Sequence, residues 1–296
     1  MKPRHAATLT TTALIAAGLV ATAAPEAHAA TLIDADFNSD AVGTYGLETG
    51  DISGPLGGLA VTSDTPNGSI VAVVDDAGDR AVQYTDNNTS FVSPGAPHLS
   101  AALPGLSTTS TGDSLLSISY NYTYFDTTGT GNPLFQLLVN TDGNQSASAA
   151  DRVVQLQVNG NSGSVLYWST ANPPIDTGVD LVDGREYLFE IDIDLSSDLQ
   201  DTYDLTVTDT TDSSVVIDVD DIATRLPNDT PDVISFSGGA NGGVAVGEAF
   251  AELDNILVTS SPIPEPASLI LITAGGLCLA GRRRRPTPPT RPAHSA

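Results

Sequence analysis

Three carboxylates alternate along one short stretch of the chain, Glu190, Asp192 and Asp194, with isoleucine at the two positions between them. In a β-strand successive side chains point to opposite faces, so these carboxylates would share one face at intervals of about 7 Å. Paired carboxyl groups cleave glycosidic bonds when one is the nucleophile and the other the acid, about 5 Å apart in retaining enzymes. The stretch is therefore a candidate catalytic site, and a solvated acidic strand face is the alternative.

The same spacing is similar to the laminarinase-type signature Glu-x-Asp-x-Glu, which is carried on a concanavalin-like fold. The resemblance implies that Glu190 is the nucleophile, Asp192 its modulator and Asp194 the acid. This chain has aspartate where the signature has its second glutamate, and it has no tryptophan near the stretch. Because sugars stack on aromatic rings in such clefts, we favour the solvated strand face.

Structural calcium is a candidate cofactor, because Ca²⁺ takes carboxylate, amide and backbone carbonyl oxygens as ligands, and an acidic surface that serves solubility or a saline medium is the alternative. No acidic cluster has the spacing of an EF-hand loop, so the ligands of a candidate structural calcium ion stay unassigned. The clusters that could contribute are Asp75 and Asp76 with Asp79, Asp198 with Asp201, and Asp218 with Asp220 and Asp221.

Three further features carry weaker chemical signals. His98 is the single histidine between residues 30 and 261 and follows a stretch with Pro and Gly, which predicts a surface position. Trp168, the only tryptophan, is either a platform for sugar stacking or a core residue. Residues 238–243 are glycine-rich, but no Lys-Ser/Thr pair and no helix signal follow, so we predict a flexible loop between strands.

The elements that must position these side chains lie in residues 30–261, a strongly acidic part of the chain that we call the body. The chain has 36 Asp and Glu, of which only Glu26 and Glu265 lie outside residues 30–261, and this part therefore has a formal charge of −30. Nucleic acid is excluded as a partner, because a polyanion binds to a basic face. The single cysteine, Cys278, lies outside the body, which excludes a disulfide framework there. The basic residues of the body are Arg80, Arg152, Arg185 and Arg225.

The N-terminus has the parts of a secretory signal peptide, which we assign to residues 1–29. A positively charged start precedes a short apolar segment, residues 13–24, which is too short to span a bilayer of about 30 Å. Ala27 and Ala29 then provide the small-x-small pattern that signal peptidase recognises. Cleavage there would leave Ala30 as the mature N-terminus, with signal peptidase as a transient partner.

The C-terminus combines a turn-rich motif, an apolar segment and a cationic end. The 15 residues 267–281 would form a helix of about 22 Å, shorter than a comfortable transmembrane span. The arginines would hold its end on the cytoplasmic side by the positive-inside rule. Residues 286–296 are rich in proline and predict a disordered tail. The motif and the cationic end consist of Pro264, Glu265 and Pro266, and of Arg282, Arg283, Arg284 and Arg285.

This order of parts, at residues 262–285, resembles the PEP-CTERM sorting signal. The resemblance implies recognition by an exosortase, a membrane-embedded transpeptidase-like enzyme of bacteria that make exopolysaccharide. That enzyme would remove the helix near Pro-Glu-Pro and release or re-attach the body. The protein is then anchored transiently in the inner membrane through the helix before it reaches the cell surface or extracellular matrix. The 11 residues after the arginines depart from the family's usual ending.

Residues 30–261 consist of short alternating runs between Gly, Asn, Asp, Ser and Pro, and no window keeps the spacing of an amphipathic helix. The alternation is clearest at 115–125, 186–194 and 202–208. With no linker that divides the body, the runs predict one all-β, two-sheet antiparallel sandwich. Further strands are predicted at 31–37, 69–74, 80–84, 134–139, 152–158, 164–168, 214–219 and 249–258.

The opening Asp-Ala-Asp-Phe-Asn at 34–38 with Val42-Gly43, and the closing stretch 251–258, resemble concanavalin-like (laminin-G-like) jelly rolls. In that fold the first and last strands pair. The function that we favour is an exported, non-enzymatic surface or matrix protein that binds glycan or calcium, with exopolysaccharide as a candidate partner. The alternative is a secreted glycan-active hydrolase of the same fold that uses the carboxylates at 190, 192 and 194.

Overall fold

A computed structural model describes residues 29–45, 52–62, 70–76, 78–85, 98–104, 106, 114–127, 133–141, 151–170, 173–195, 200–227, 229–240 and 248–262. Ala27, Asp198 and the motif from Pro264 through the arginines lie outside these residues. The described residues form strands, turns and loops, and they contain no helix with the length and hydropathy of a membrane span.

The described parts of the chain form sixteen β-strands. In chain order they are β1 (Ala30–Ala35), β2 (Gly43–Tyr45), β3 (Ala60–Thr62), β4 (Ile70–Asp76), β5 (Asp79–Thr85), β6 (His98–Ala102), β7 (Ser114–Tyr124), β8 (Pro133–Asn140), β9 (Arg152–Asn159), β10 (Ser164–Tyr167), β11 (Ile175–Asp180), β12 (Glu186–Leu195), β13 (Thr202–Asp209), β14 (Ser214–Ala223), β15 (Val233–Ala240) and β16 (Ala249–Pro262).

The strands form two antiparallel sheets. The nine-stranded sheet has the order β14-β13-β12-β7-β16-β5-β4-β2, and β1 pairs with β16 beside this path. The seven-stranded sheet has the order β11-β10-β9-β8-β15-β6-β3. The all-β, two-sheet prediction is therefore confirmed, and so is the pairing of the first strand with the last, in which Ala30 lies opposite Ser260.

The inner faces of the two sheets meet in one aromatic-rich core. Tyr120 of β7 stacks on Phe189 of β12 with ring centroids 5.1 Å apart, and its edge meets Phe236 of β15 at 5.4 Å. Phe135 of β8 lies 4.9 Å from Tyr122. All five of these aromatic rings are buried. The alternating apolar side chains of β7 and β12 therefore face the core, as the sequence predicts.

Three tyrosines of the larger sheet donate hydrogen bonds across the core to backbone carbonyl oxygens. A buried hydroxyl needs such a partner, since leaving it unsatisfied costs about 1–3 kcal/mol. These bonds link the two layers in addition to apolar packing. The pairs are Tyr84 to Phe236 O at 3.0 Å, Tyr124 to Gly160 O at 2.8 Å and Tyr203 to Trp168 O at 2.8 Å.

Every strand that the sequence predicts is present, with ends that shift by a few residues. Five further strands are present that the sequence pattern did not predict, β2, β3, β6, β11 and β15. The predicted flexible loop at 238–243 is wrong in its first part, because Gly238 and Gly239 belong to β15. A Cβ at Gly238 would lie 2.3 Å from the Tyr84 ring, so glycine is required there by close packing.

Candidate functional site

The three alternating carboxylates lie on the outer face of β12, between β7 and β13. Glu190 is opposite Ser119 on one side and Thr206 on the other, and Asp192 is opposite Ser117 and Asp204. Glu190, Asp192 and Asp194 are all exposed, while the residues that alternate with them are buried. The prediction that the carboxylates share one solvent-facing strand face is confirmed.

A shallow pocket of about 240 Å³ adjoins Glu190 and Asp192 on this face. Its lining is made of small polar and aliphatic side chains from β7 and β16, Ser117, Ser119 and Leu257 among them, with no aromatic ring. Trp168 lies on the other sheet, directly after β10. Among the described residues that line this pocket, the carboxylates therefore have no aromatic platform on which a sugar ring could stack.

A larger pocket of about 380 Å³ lies further along the same face, where β5, β7, β12 and β16 run side by side. Asp79, Glu186, Glu252 and Asp254 contribute carboxylates to its lining. Asp254 is only 8 % exposed, and it accepts hydrogen bonds from the backbone N–H of Asn255 at 2.7 Å and from the Asn255 amide at 2.9 Å.

Burial raises the pKa of Asp254 to about 6, because the carboxylate loses hydration. The charges of Asp79, Glu186 and Asp36 raise this pKa further, and the hydrogen bond from Asn255 partly opposes them. The irregular register of β16 between Asp254 and Leu257, with Asn255 at φ 51°, turns this carboxyl group into the crowded pocket.

The acidic clusters considered for calcium lie in separate parts of the larger sheet. Asp75, near the end of β4, accepts hydrogen bonds from Arg80 at 3.3 Å and from the backbone N–H of Gly78 at 2.8 Å. Asp201 is buried, and Asp218 lies exposed on β14. Within the described ranges, no three Asp, Glu, His or Cys side chains are close enough together to hold a metal ion.

The outer face of the nine-stranded sheet is rich in carboxylates, whereas that of the seven-stranded sheet is poor in them. Apart from the edge strand β11, with Asp176 and Asp180, no strand of this sheet contains Asp or Glu, whereas β12 alone has four. The strands bring outward side chains into two rows that cross from β6 to β10. The first row is His98, Ser237, Gln136, Gln157 and Leu166, and the second is Ser100, Ser235, Leu138 and Gln155, with Trp168 beside Gln155.

A ladder of carboxamides begins in the first row at Gln136 and Gln157 and continues to Asn159, further along β9. The amide of Gln136 donates to Gln157 at 3.0 Å, Gln157 donates to Asn159 at 2.7 Å, and Asn159 donates to Ser164 Oγ at 2.8 Å. All of these amides are half-buried. Each bond uses one of the two N–H donors of its amide, so each amide keeps a second N–H donor outside the ladder.

Two arginines converge on the second row at Gln155, whose side chain is only 3 % exposed. Gln155 Oε1 accepts from Arg152 at 3.0 Å and also from Arg225. A shift of register next to Val153 brings Arg152 to the outer face, and the backbone N–H of Arg225 donates to Val153 O at 3.0 Å. Trp168 adjoins them, because its backbone N–H donates to Gln155 O at 3.2 Å.

The predicted surface position of His98 is wrong. The residue begins β6, is 5 % exposed and shares a hydrogen bond of 3.0 Å between its Nδ1 and Ser235 Oγ. The alternation of His98, Leu99 and Ser100, and of Ser235, Phe236 and Ser237, is the signal that could have revealed these strands. The polar residues of β6 and β15 face away from the core, and such polar residues in a sequence are typical of a solvated loop.

The comparisons with known proteins assign the sorting signal. Residues 262–285 match the PEP-CTERM protein-sorting motif, which confirms the resemblance seen in the sequence. The motif indicates export, processing by an exosortase and sorting to the cell surface. In the comparison with curated proteins, no sequence matches the chain.

Similar solved structures include lectins and polysaccharide lyases. Peanut lectin with a 9mer peptide is 14 % identical, covers 80 % of this chain and 100 % of its own, and has a TM-score of 0.49. Lectin I from Ulex europaeus, in complex with the methyl glycoside of α-L-fucose, is 15 % identical, covers 68 % and 91 %, and scores 0.45. The marine PL-14 alginate lyase from Aplysia kurodai is 11 % identical, covers 64 % and 86 %, and scores 0.45.

Proposed function

We propose that the chain, which carries a PEP-CTERM sorting motif, is a non-enzymatic protein of the cell surface or extracellular matrix whose body binds glycan. A cleaved leader exports it, the C-terminal helix anchors it transiently, and an exosortase removes that helix. The proposal for the body depends on one observation: in a body with a formal charge of −30, six of the seven strands of the smaller sheet contain no Asp or Glu, the edge strand β11 being the exception.

The chemistry of this face suits a sugar chain. Hydroxyl groups of a glycan exchange hydrogen bonds with planar amides, and Gln136, Gln157 and Asn159 present such amides in one connected ladder. The accessible members of the rows are Gln136, Gln157 and Leu166 on three neighbouring strands, which corresponds to about 10 Å at the usual spacing of strands. That length suits a short stretch of a sugar chain.

Glycan binding is tested with the purified protein and a panel of neutral and acidic polysaccharides, including exopolysaccharide of the producing cells. We expect binding to weaken by about tenfold in Gln157→Leu and in Gln136→Leu, since each change removes hydrogen bonds to the ligand. Gln83→Leu is the matched control, because Gln83 is also half-buried but lies on β5 of the other sheet, where it donates to Glu252.

The proposal is overturned if no polysaccharide in the panel binds, or if Gln83→Leu weakens binding as much as the two ladder variants do. The hydrolase alternative is tested in the same samples by the release of reducing ends. Release that disappears in Glu190→Gln would replace the proposed function by catalysis at Glu190, Asp192 and Asp194.

A further inference from the structure

Two leucines lie on the outer face of the seven-stranded sheet, directly beside amides of the ladder. Leu166 of β10 is opposite Gln157, and Leu134 of β8 is opposite Asn159. Both leucines are half-buried, and they lie outside the hydrophobic core between the sheets. Directly opposite residues on neighbouring strands have their Cβ atoms about 5 Å apart. The face therefore places an aliphatic side chain next to an amide twice.

The hydrogen bonds of the ladder all run in one direction, from Gln136 through Gln157 and Asn159 to Ser164. Each amide donates one N–H to its neighbour and has a second N–H, whereas the side-chain oxygens of Gln157 and Asn159 already accept one bond each. The ladder thus has more N–H donors than acceptors to offer a ligand. It suits a ligand group that contributes a strong acceptor oxygen.

The charges next to the ladder disfavour an anionic acceptor. β11 pairs with β10, so that Asp176 lies opposite Leu166 and Asp180 lies opposite Ser164, and both aspartates are exposed. A carboxylate or sulfate group at the ladder would approach these two charges, within a body of formal charge −30. The acceptor that fits this face is therefore an uncharged one.

From this arrangement we infer that the ladder and its two leucines bind the acetyl groups of a neutral, acetylated glycan, which rests on the proposed glycan-binding function of the same face. An acetyl group combines a carbonyl oxygen, which accepts from an amide N–H, with a methyl group, which packs against an aliphatic side chain. N-acetylated and O-acetylated sugars share this chemistry.

The register provides two such positions. At Gln157 the acetyl oxygen accepts from the amide N–H while the methyl group contacts Leu166. Asn159 with Leu134 repeats this pair two residues further along β9, at a separation of about 7 Å. A sugar hydroxyl can replace the carbonyl oxygen as acceptor, but it has no methyl group to cover the leucine. The leucines therefore favour acetylated over non-acetylated sugars.

The test titrates the full chain by calorimetry with four oligosaccharides of equal length: an N-acetylated glucosamine oligomer, an O-acetylated glucan, the same glucan without acetyl groups and a polyuronate. A stronger hydrogen bond and a buried methyl group each contribute several-fold to affinity. We therefore expect at least one acetylated oligosaccharide to bind about tenfold more tightly than the non-acetylated glucan. Added NaCl should leave this preference unchanged, because no ligand charge takes part. The two acetylated forms together identify which acetyl linkage is bound.

The contribution of the leucines is tested by Leu166→Ser and Leu134→Ser. At least one of these variants should reduce the preference for the acetylated oligosaccharide by several-fold, since a polar side chain replaces the aliphatic contact. Leu257→Ser is the matched control, because Leu257 is 40 % exposed on the outer face of the other sheet and should not affect the preference. Every variant is titrated well below its own unfolding temperature.

Equal affinity for the non-acetylated glucan and both acetylated forms overturns the acetyl site and leaves the proposed glycan binding in place. The same holds if the polyuronate binds most tightly, if NaCl removes the preference, or if both ladder-side leucine variants keep it in full. An equal loss in Leu257→Ser also overturns the site. If no oligosaccharide binds while a polysaccharide of the panel does, only the acetyl inference fails. Failure of the oligosaccharides and of the whole panel to bind overturns the proposed function itself.

Discussion

Replacing Asp254 by asparagine should stabilise the protein at neutral pH and leave it unchanged near pH 4. The folded state raises the pKa of Asp254 from 3.8 to about 6. Between these two pH values the folded protein keeps a proton that the unfolded chain has already released. Stability therefore falls as pH rises from about 4 to about 6 and is level above that.

The size of the effect follows from the shift. About two pKa units correspond to about 3 kcal/mol of destabilisation by the ionised carboxylate at pH 7. Asparagine removes the charge and retains an oxygen that can accept from the N–H of Asn255, which donates to Asp254 at 2.7 Å in the unsubstituted protein. Since rearrangement in the pocket recovers part of this energy, we expect Asp254→Asn to raise the free energy of unfolding at pH 7 by about 1–3 kcal/mol.

The measurement is urea-induced unfolding at pH 4, 5, 6 and 7. Asp192→Asn is the control, because Asp192 lies exposed on the same face and its replacement removes the same unit of charge from a strongly acidic body. The gain of Asp254→Asn over Asp192→Asn should appear between pH 4 and 6 and then stay constant. Identical pH profiles for the two variants would refute the argument that the pocket around Asp254 raises its pKa.

Three further outcomes are expected. Gly163→Ala should lower the free energy of unfolding by about 2–4 kcal/mol, since φ is +68° and a Cβ would lie 2.5 Å from Leu181 O. Gly178→Ala, at φ +76° with open space, should cost only about 1–2 kcal/mol in the same urea titration, and equal losses would contradict the steric argument. Added NaCl should raise the melting temperature by a few degrees, because it screens the repulsion within a body of charge −30, and an indifferent melting temperature would count against that repulsion. Intact mass spectrometry of protein from the cell surface should show the loss of residues 1–29 and of everything after Pro266, whereas retention of Arg282–Arg285 would contradict exosortase processing.

The fold could be predicted where one side of a strand is apolar and the other polar. β7 and β12 satisfy this rule along most of their lengths, with Ser114, Leu115 and Leu188 as the exceptions, so their core faces follow directly from alternation. β6 and β15 do not, because His98, Ser235 and Ser237 are buried although they are polar and face away from the core. β11 was missed for the opposite reason, since its edge position leaves most of its side chains at least partly exposed.

The candidate site was less accessible to sequence reasoning than the fold. The carboxylates at 190, 192 and 194 are local in the chain, so their shared face could be predicted from spacing alone. The pair of arginines could not, because Arg225 is 70 residues from Gln155 in the chain. The hydrogen bond between Arg152 and Gln155 also depends on an irregular register beside Val153, which cannot be predicted from a periodic sequence pattern.

The position of β16 determines how the body would withstand a pull on its attachment point. The matched sorting motif begins at residue 262, which is also the last residue of β16, so a tether would continue directly from this strand. β16 lies inside the larger sheet, with β7 on one side and β1 and β5 on the other. Hydrogen bonds in antiparallel ladders run perpendicular to the strands, so a force along β16 loads both ladders in shear and strains many bonds together. The body would thus be held by a strand whose hydrogen-bonded ladders on both sides share the load.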